Sequence, residues 1–281
     1  MNQGAQLFSP VGDFARLSDG RCHYRIDGLS TGRPLLLIHG ATMSSSQFDR
    51  VVPYLVEARF RTIRLDLYGH GYSDHPIVTH DYDLFGRQVS ELLDLLDLRH
   101  DIDLLGYSLG AAICARLVRA SPLRFGSVIM AAPLLDFFAS QPSTKLLLVP
   151  GIGELLMGGY IVPMLVRRRT RRYRGIEGGR FVHLFKSELR RPGFGRSLLS
   201  LVRSGALGDQ REAYGRLRGL ENRFLLLRGS DDTIFTRSQL EIIKTVAPQA
   251  ECREIKGTSH SMLLTHPQEV ATEMLRFLRF G

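Results

Sequence analysis

The stretch DIDLLGYSLGAAICARL, residues 101–117, constrains this chain more than any other. An apolar run reaches Gly106, the pentapeptide Gly-Tyr-Ser-Leu-Gly follows, and a segment rich in small residues continues at helical spacing. A strand that becomes a helix within a few residues has no room for side chains at the crossing. That accounts for Gly106 and Gly110 on either side of Ser108. Such a turn lifts the serine out of the sheet and sets it at a helix N-terminus, where oriented N–H groups stabilise an anion. The pentapeptide alone is a weak signal; a buried strand before it and a helix after it sharpen it.

The rest of the chain supplies the sheet that this turn requires. Residues 14–28 read as a hairpin around Ser-Asp-Gly. RPLLLIHG, 33–40, is a continuous apolar run ending in glycine, the pattern of a strand buried on both faces. Residues 47–58 read as a helix in spite of Pro53, 60–74 as a strand and a glycine-rich turn, and 83–98 as a helix. A helix stopped by Pro122 and a strand at 126–133 follow. Alternation resumes with a strand and loop at 222–232, a helix at 237–247, a strand at 250–257 and a helix at 267–280. This alternation predicts a parallel sheet with helices on both faces. Between 137 and 218 no strand is evident, so the expected organisation is a core of 1–136 and 219–281 interrupted by a helical insertion, 137–218. Inside it, residues 146–166 carry one charge and precede RRRTRRYR, which in length and flank resembles a membrane span. Glu154, Pro150, Pro163 and four glycines within that stretch favour two short apolar helices instead.

A serine hydroxyl is a poor nucleophile until a base takes its proton, so a histidine and an orienting acid should accompany Ser108. Of the nine histidines, His260 is best placed, just past the last strand in IKGTSHSML. His39 ends an early strand beside Gly40 and reads as structural, while His70, His75 and His80 share a loop, where solvated or packing roles are the default. The turn LLLRGSDDTIF offers Asp232 as the acid, with Asp231 as a hydrogen-bonding neighbour or N-cap. Asp136 is the other candidate, and Asp66 reads as the organiser of its own glycine-rich turn.

Five features in order, LLLIHGA at 35–41, DLYGHGYSD at 66–74, GYSLG at 106–110, RGSDD at 228–232 and GTSH at 257–260, resemble the α/β-hydrolase superfamily over nearly the whole chain. The resemblance implies an α/β fold with an eight-stranded, mostly parallel sheet, helices on both faces and a helical cap inserted after the sixth strand. It implies an oxyanion hole from the backbone N–H groups of Ala41 and Leu109, each such donor being worth on the order of 3 kcal/mol. It implies no cofactor and no metal.

Serine at the turn sets this chain apart from dehalogenase and epoxide hydrolase relatives, which carry aspartate there. Ring-cleavage C–C hydrolases commonly show Asn before the serine and Trp after the histidine; here stand Tyr107 and SMLLTHP, and the chain has no tryptophan. Cofactor-free haloperoxidase-like relatives usually have an aromatic after His-Gly, where this chain has Ala41. The Leu-, Ile-, Val- and Met-rich cap would line an apolar pocket, and PGIGELL resembles the lid of monoacylglycerol lipases. The expected function is a serine carboxylic-ester hydrolase acting on hydrophobic acyl esters. The alternatives are a C–C bond hydrolase of the ring-cleavage type, a hydrolase-like ligand receptor, or acyl transfer through the same intermediate.

The net charge of +9 could signal nucleic acid or an anionic membrane. The arginines are spread along the chain except at 167–174, and no zinc-finger, homeodomain or RNP pattern is present, so nucleic acid is not expected. The cluster Arg167, Arg168, Arg169, Arg171 and Arg172 reads either as a solvated face or as a peripheral contact with anionic headgroups. Cys22, Cys114 and Cys252 are scattered and odd in number, which suits a reducing compartment. MNQGAQLFSP lacks the features of a signal peptide, so the expected location is cytoplasmic.

Overall fold

The computed structural model describes residues 11–173, 175 and 179–279. MNQGAQLFSP, on which the signal-peptide reading rests, lies outside them, as do Arg174 and Phe280. The strands β1 (Asp13–Leu17), β2 (Gly20–Asp27), β3 (Arg33–Ile38), β4 (Phe60–Leu65), β5 (Ile102–Tyr107), β6 (Phe125–Ala131), β7 (Phe224–Gly229) and β8 (Glu251–Ile255) form one sheet. Its spatial order is β1-β2-β4-β3-β5-β6-β7-β8. The β1–β2 and β2–β4 pairs are antiparallel and every other neighbouring pair is parallel.

The central strands are apolar on both faces because two separate cores need them. Leu36, Ile38, Leu104, Val128 and Leu226 enter one core, packed with α2 (Tyr82–Leu95) and α3 (Leu109–Ala120) after α1 (Val52–Glu57) has crossed to the other side. Leu35, Leu37, Leu105, Ile129 and Leu225 face the opposite core, with Val52 and Leu55 of α1. Each leucine so buried stabilises the fold by about 1.5–3 kcal/mol. The expected helix over 47–58 divides. Ser45–Phe48 forms a 3-10 turn, and α1 starts only at Val52, which puts Pro53 in the first turn where its missing N–H costs nothing. The Asp81 carboxylate caps α2 by accepting the Leu84 N–H at 2.9 Å.

Among the described residues from Phe137 to Gly215 the chain is helical and contains no strand. It passes through α4 (Phe137–Ser140), a 3-10 segment (Pro142–Leu148), α5 (Ile152–Leu156), a π-helical turn (Met157–Ile161) and α6 (Val162–Tyr173). It continues through α7 (Arg180–Leu189), α8 (Phe194–Arg203) and α9 (Arg211–Gly215). The stretch 146–166 is broken at Val149–Gly151, and its second part runs on as one helical rod from Ile152 into the arginines, the π turn absorbing Gly158 and Gly159. Among the described residues no helix is long and apolar enough to cross a membrane. Phe181, Phe185, Phe194, Leu198 and Val202 of this segment belong to the same core as Leu36 and Leu104. After β7 come α10 (Arg237–Val246), a single turn α11 (Met262–Thr265) and α12 (Pro267–Arg279), whose Val270, Met274 and Phe277 close the second core.

Candidate active site

At the end of β5 the chain turns at Ser108 with φ 54° and ψ −113° and enters α3 at Leu109. A positive φ is costly for a residue with a Cβ, and such strain concentrates at functional positions. The glycines make the turn possible: a Cβ on Gly106 would strike the Gly110 carbonyl, and one on Gly110 would strike the Ile38 carbonyl of β3. The Ser108 N–H donates to the Ala131 carbonyl at 3.0 Å, which ties the turn to β6.

His260 lies in the loop between β8 and α11. Its Nε2 is 3.2 Å from Ser108 Oγ and its Nδ1 is 2.8 Å from Asp232 Oδ2. Asp232 follows β7, and its other oxygen, Oδ1, accepts the backbone N–H groups of Ile234 at 2.8 Å and Phe235 at 3.0 Å. Burial alone would raise the pKa of this carboxyl. The hydrogen bond and charge of His260, with the two backbone donors, outweigh burial and hold it below its ordinary value. Asp232 is therefore ionised. It accepts the proton on Nδ1, and Nε2 is left with its lone pair toward Ser108. Three residues separated by up to 152 positions thus meet in one relay. Asp231 is exposed and accepts from Ser230 Oγ, while Asp136 caps α4 through the Ala139 N–H at 2.9 Å.

The loop after β3 faces this relay. A Cβ on Gly40 would lie 3.3 Å from Ser108 Cβ, so the two backbones are in close contact. The Gly40 N–H donates to Gln47 Oε1, which leaves Ala41 as the candidate donor of the loop; Leu109, the first residue of α3, is its candidate partner. His39 accepts the Leu67 N–H at Nε2 and meets the Gly40 carbonyl at Nδ1, 2.8 Å away. Burial, reinforced by the neighbouring His70, pulls its pKa down to about 3, so it is a neutral clamp. His70 Nε2 stands 2.9 Å from the Ala41 carbonyl. Of the histidines of the glycine-rich loop, His70 and His80 are buried in packing roles and His75 is half-buried. The buried Asp66 binds the Ser45 and Tyr72 N–H groups and His23, tying the glycine-rich turn to the loop after β3.

Ser108 and His260 open onto a cavity of about 210 Å³ whose walls are mostly apolar, among them Leu134, Met157, Ile161, Leu165, Leu198 and Val202. The guanidinium-bearing Arg168 and Arg169 also line it. Two contacts of the site were not foreseen in the sequence: Tyr107, read only as a departure from the Asn of ring-cleavage hydrolases, sets its ring against that of His260, with centroids 5.3 Å apart, and Gln47 holds Gly40. For Gln47, which reaches across a loop, linear spacing carried no signal.

Glu188 of α7 joins the helical segment to the loop after β3. Its carboxyl accepts the Ser44 N–H at 3.1 Å, the Ser46 hydroxyl at 3.1 Å and the Ser44 hydroxyl. Burial, with the charge of Asp66, pushes its pKa up to about 7 against the lowering effect of the serines. Below its unfolded value of 4.5 the group is protonated in both states. As pH rises to about 7 only the unfolded chain releases the proton, so stability is lost across that window. Glu188→Gln should flatten the decline of Tm between these pH values, as read by a melting series; an unchanged slope would remove Glu188 as its cause.

A model of the "Alpha/beta hydrolase family" matches residues 35–273. A non-heme chloroperoxidase of Streptomyces lividans is 24% identical, the alignment covering 93% of this chain and 98% of the relative. A non-heme haloperoxidase of Rhodococcus erythropolis is 26% identical over 94% of this chain and 98% of its own. The crystal structure of Cfl2 from Burkholderia cenocepacia superposes with a TM-score of 0.80 at 20% identity, covering 94% of this chain and 93% of that one. With the matched span running from β3 into α12, the chain belongs to the alpha/beta hydrolase family.

Proposed function

We propose that the protein is a serine carboxylic-ester hydrolase for hydrophobic acyl esters, working through an acyl-enzyme. The observation that carries this reading is the relay from Asp232 through His260 to Ser108, opening on a mostly apolar cavity. His260 Nε2 takes the Ser108 proton as Oγ attacks the ester carbonyl, and Asp232 fixes the tautomer and stabilises the imidazolium. The charge that develops on the carbonyl oxygen is met by the N–H groups of Ala41 and Leu109. His260 then gives its proton to the leaving alcohol, and water activated by the same nitrogen releases the acid. The helical segment 137–218 acts as a cap that supplies the walls of the acyl pocket.

An acyl-enzyme discharged by hydrogen peroxide instead of water yields a peracid. By that route the same three side chains could serve the halide chemistry after which the two relatives are named. It is the acyl transfer of this reading with a different acceptor.

The test is hydrolysis of p-nitrophenyl esters from acetate to palmitate. A cavity of about 210 Å³ falls below the roughly 300–1,000 Å³ of drug-sized sites, so the optimum should lie at short acyl chains, roughly C4 to C6. A palmitate optimum would contradict the pocket assignment, and no turnover above buffer on any chain would remove the esterase reading.

A further inference from the structure

The cavity beside Ser108 is electrostatically one-sided. Arg168 and Arg169 line it, and no Asp or Glu is among its lining residues. Asp232 stands behind His260, fully engaged by the imidazole and two backbone donors. Among the described residues neither arginine has a carboxylate partner. Arg169 is half-buried and its position is fixed: Nη2 donates to Thr42 Oγ1 at 2.7 Å and Nη1 to the Tyr173 hydroxyl at 3.5 Å. The guanidinium also lies 5.1 Å from the centre of the Phe185 ring. The Tyr173 hydroxyl donates onward to Ser261 Oγ at 3.2 Å. Thr42 follows the candidate oxyanion donor Ala41, and Ser261 follows His260, so the charge is held where the two catalytic loops meet.

A guanidinium presents five N–H donors in a planar fork, and two of those on Arg169 find acceptors among the described residues. A cation drawn out of bulk water without a counter-ion loses solvation, and a carboxylate delivered by a ligand recovers it through charge-assisted hydrogen bonds. Resting on the ester-hydrolase reading, we infer that Arg169 is a specificity residue for substrates that carry a carboxylate a few bonds from the scissile carbonyl, such as monoesters or lactones of dicarboxylic acids. The apolar walls take the carbon chain between the two groups. Arg168, exposed at the same wall, adds to the field without a fixed position.

The experiment compares monomethyl glutarate, an anion, with dimethyl glutarate, its neutral counterpart. In wild type kcat/KM for the monoanion should exceed that for the diester about tenfold or more, expressed through KM. Arg169→Gln should bring the ratio to about one, and Arg169→Lys, which keeps a point charge without the fork, should retain part of it. A wild-type ratio near one overturns the inference. So does a parallel fall on both esters in Arg169→Gln with the ratio unchanged, since Arg169 would then merely hold Thr42. A second readout does not depend on turnover. In Ser108→Ala protein, glutarate should raise Tm more than the uncharged glutaramide, and Arg169→Gln should abolish the difference. If neither these esters nor any p-nitrophenyl ester is hydrolysed but the glutarate shift is present and depends on Arg169, the esterase reading fails and the anion site stands. Equal shifts by glutarate and glutaramide overturn the anion site whatever the hydrolysis shows.

Discussion

Replacing Ser108 by alanine lowers kcat on the best ester by about four to six orders of magnitude, with KM little changed. The hydroxyl is the only part of the side chain that takes part in the relay, at 3.2 Å from His260 Nε2, and without it no acyl-enzyme forms. Loss of the Oγ leaves the turn itself intact, because its geometry is imposed by Gly106, Gly110 and the Ser108–Ala131 backbone bond. A fluorophosphonate should label wild type at residue 108 and leave the variant unlabelled in intact-mass spectra. Equal ester turnover by the two proteins would end the serine-hydrolase proposal.

Asp232→Asn should cost about 10³- to 10⁴-fold in kcat. An asparagine amide at this position can present an N–H toward His260 Nδ1, which stabilises the tautomer with its proton on Nε2. That proton would then point at Ser108 Oγ, where a lone pair is needed. Asp136→Asn is the matched comparison, since asparagine caps a helix as well as aspartate does and α4 keeps its Ala139 contact. Its kcat should stay within about twofold of wild type. A fall below tenfold for Asp232→Asn, with a large fall for Asp136→Asn, would move the acid to the end of β6.

The sheet was legible because its strands are marked twice, by apolar runs and by the glycine or aspartate that ends them. LLLI before His39, DLLG before Ser108 and FLLLRG before Asp232 all read as strands buried on both faces, and the two cores explain why no polar face interrupts them. The meeting of Ser108, Asp232 and His260 was readable as an order along the chain; the distances that make it a relay come from neighbouring strands β5, β6, β7 and β8 ending on one edge. The helical segment was much less legible. Glycine and proline in 146–166 signalled interruption, and the π turn at Met157–Ile161 instead lets the rod pass through Gly158 and Gly159. Pro53 read as an oddity within a helix, whereas α1 simply starts one residue before it. For His70 and His80 the sequence left solvated and packing roles open, because nothing in their spacing shows that α8 covers them: Phe194 packs against the His70 ring and Ser200 bonds the His80 N–H. Glu188 and Arg169 were unreadable as site residues, since Glu188 meets Ser44, and Arg169 meets Thr42, more than a hundred positions away.

The whole helical segment separates β6 from β7, although the two strands are neighbours in the sheet. For a chain emerging from a ribosome this means that the proposed nucleophile Ser108 and the loop of Ala41 are made first, and the proposed acid and base last. At about 5–20 residues per second the interval between Ser108 and His260 is on the order of ten seconds. During that time the nascent chain contains Ser108 without the histidine proposed to activate it. On the proposed reading, chemistry starts only when the C-terminal strands close the sheet, so a chain stalled or cut before β7 should be inert toward esters.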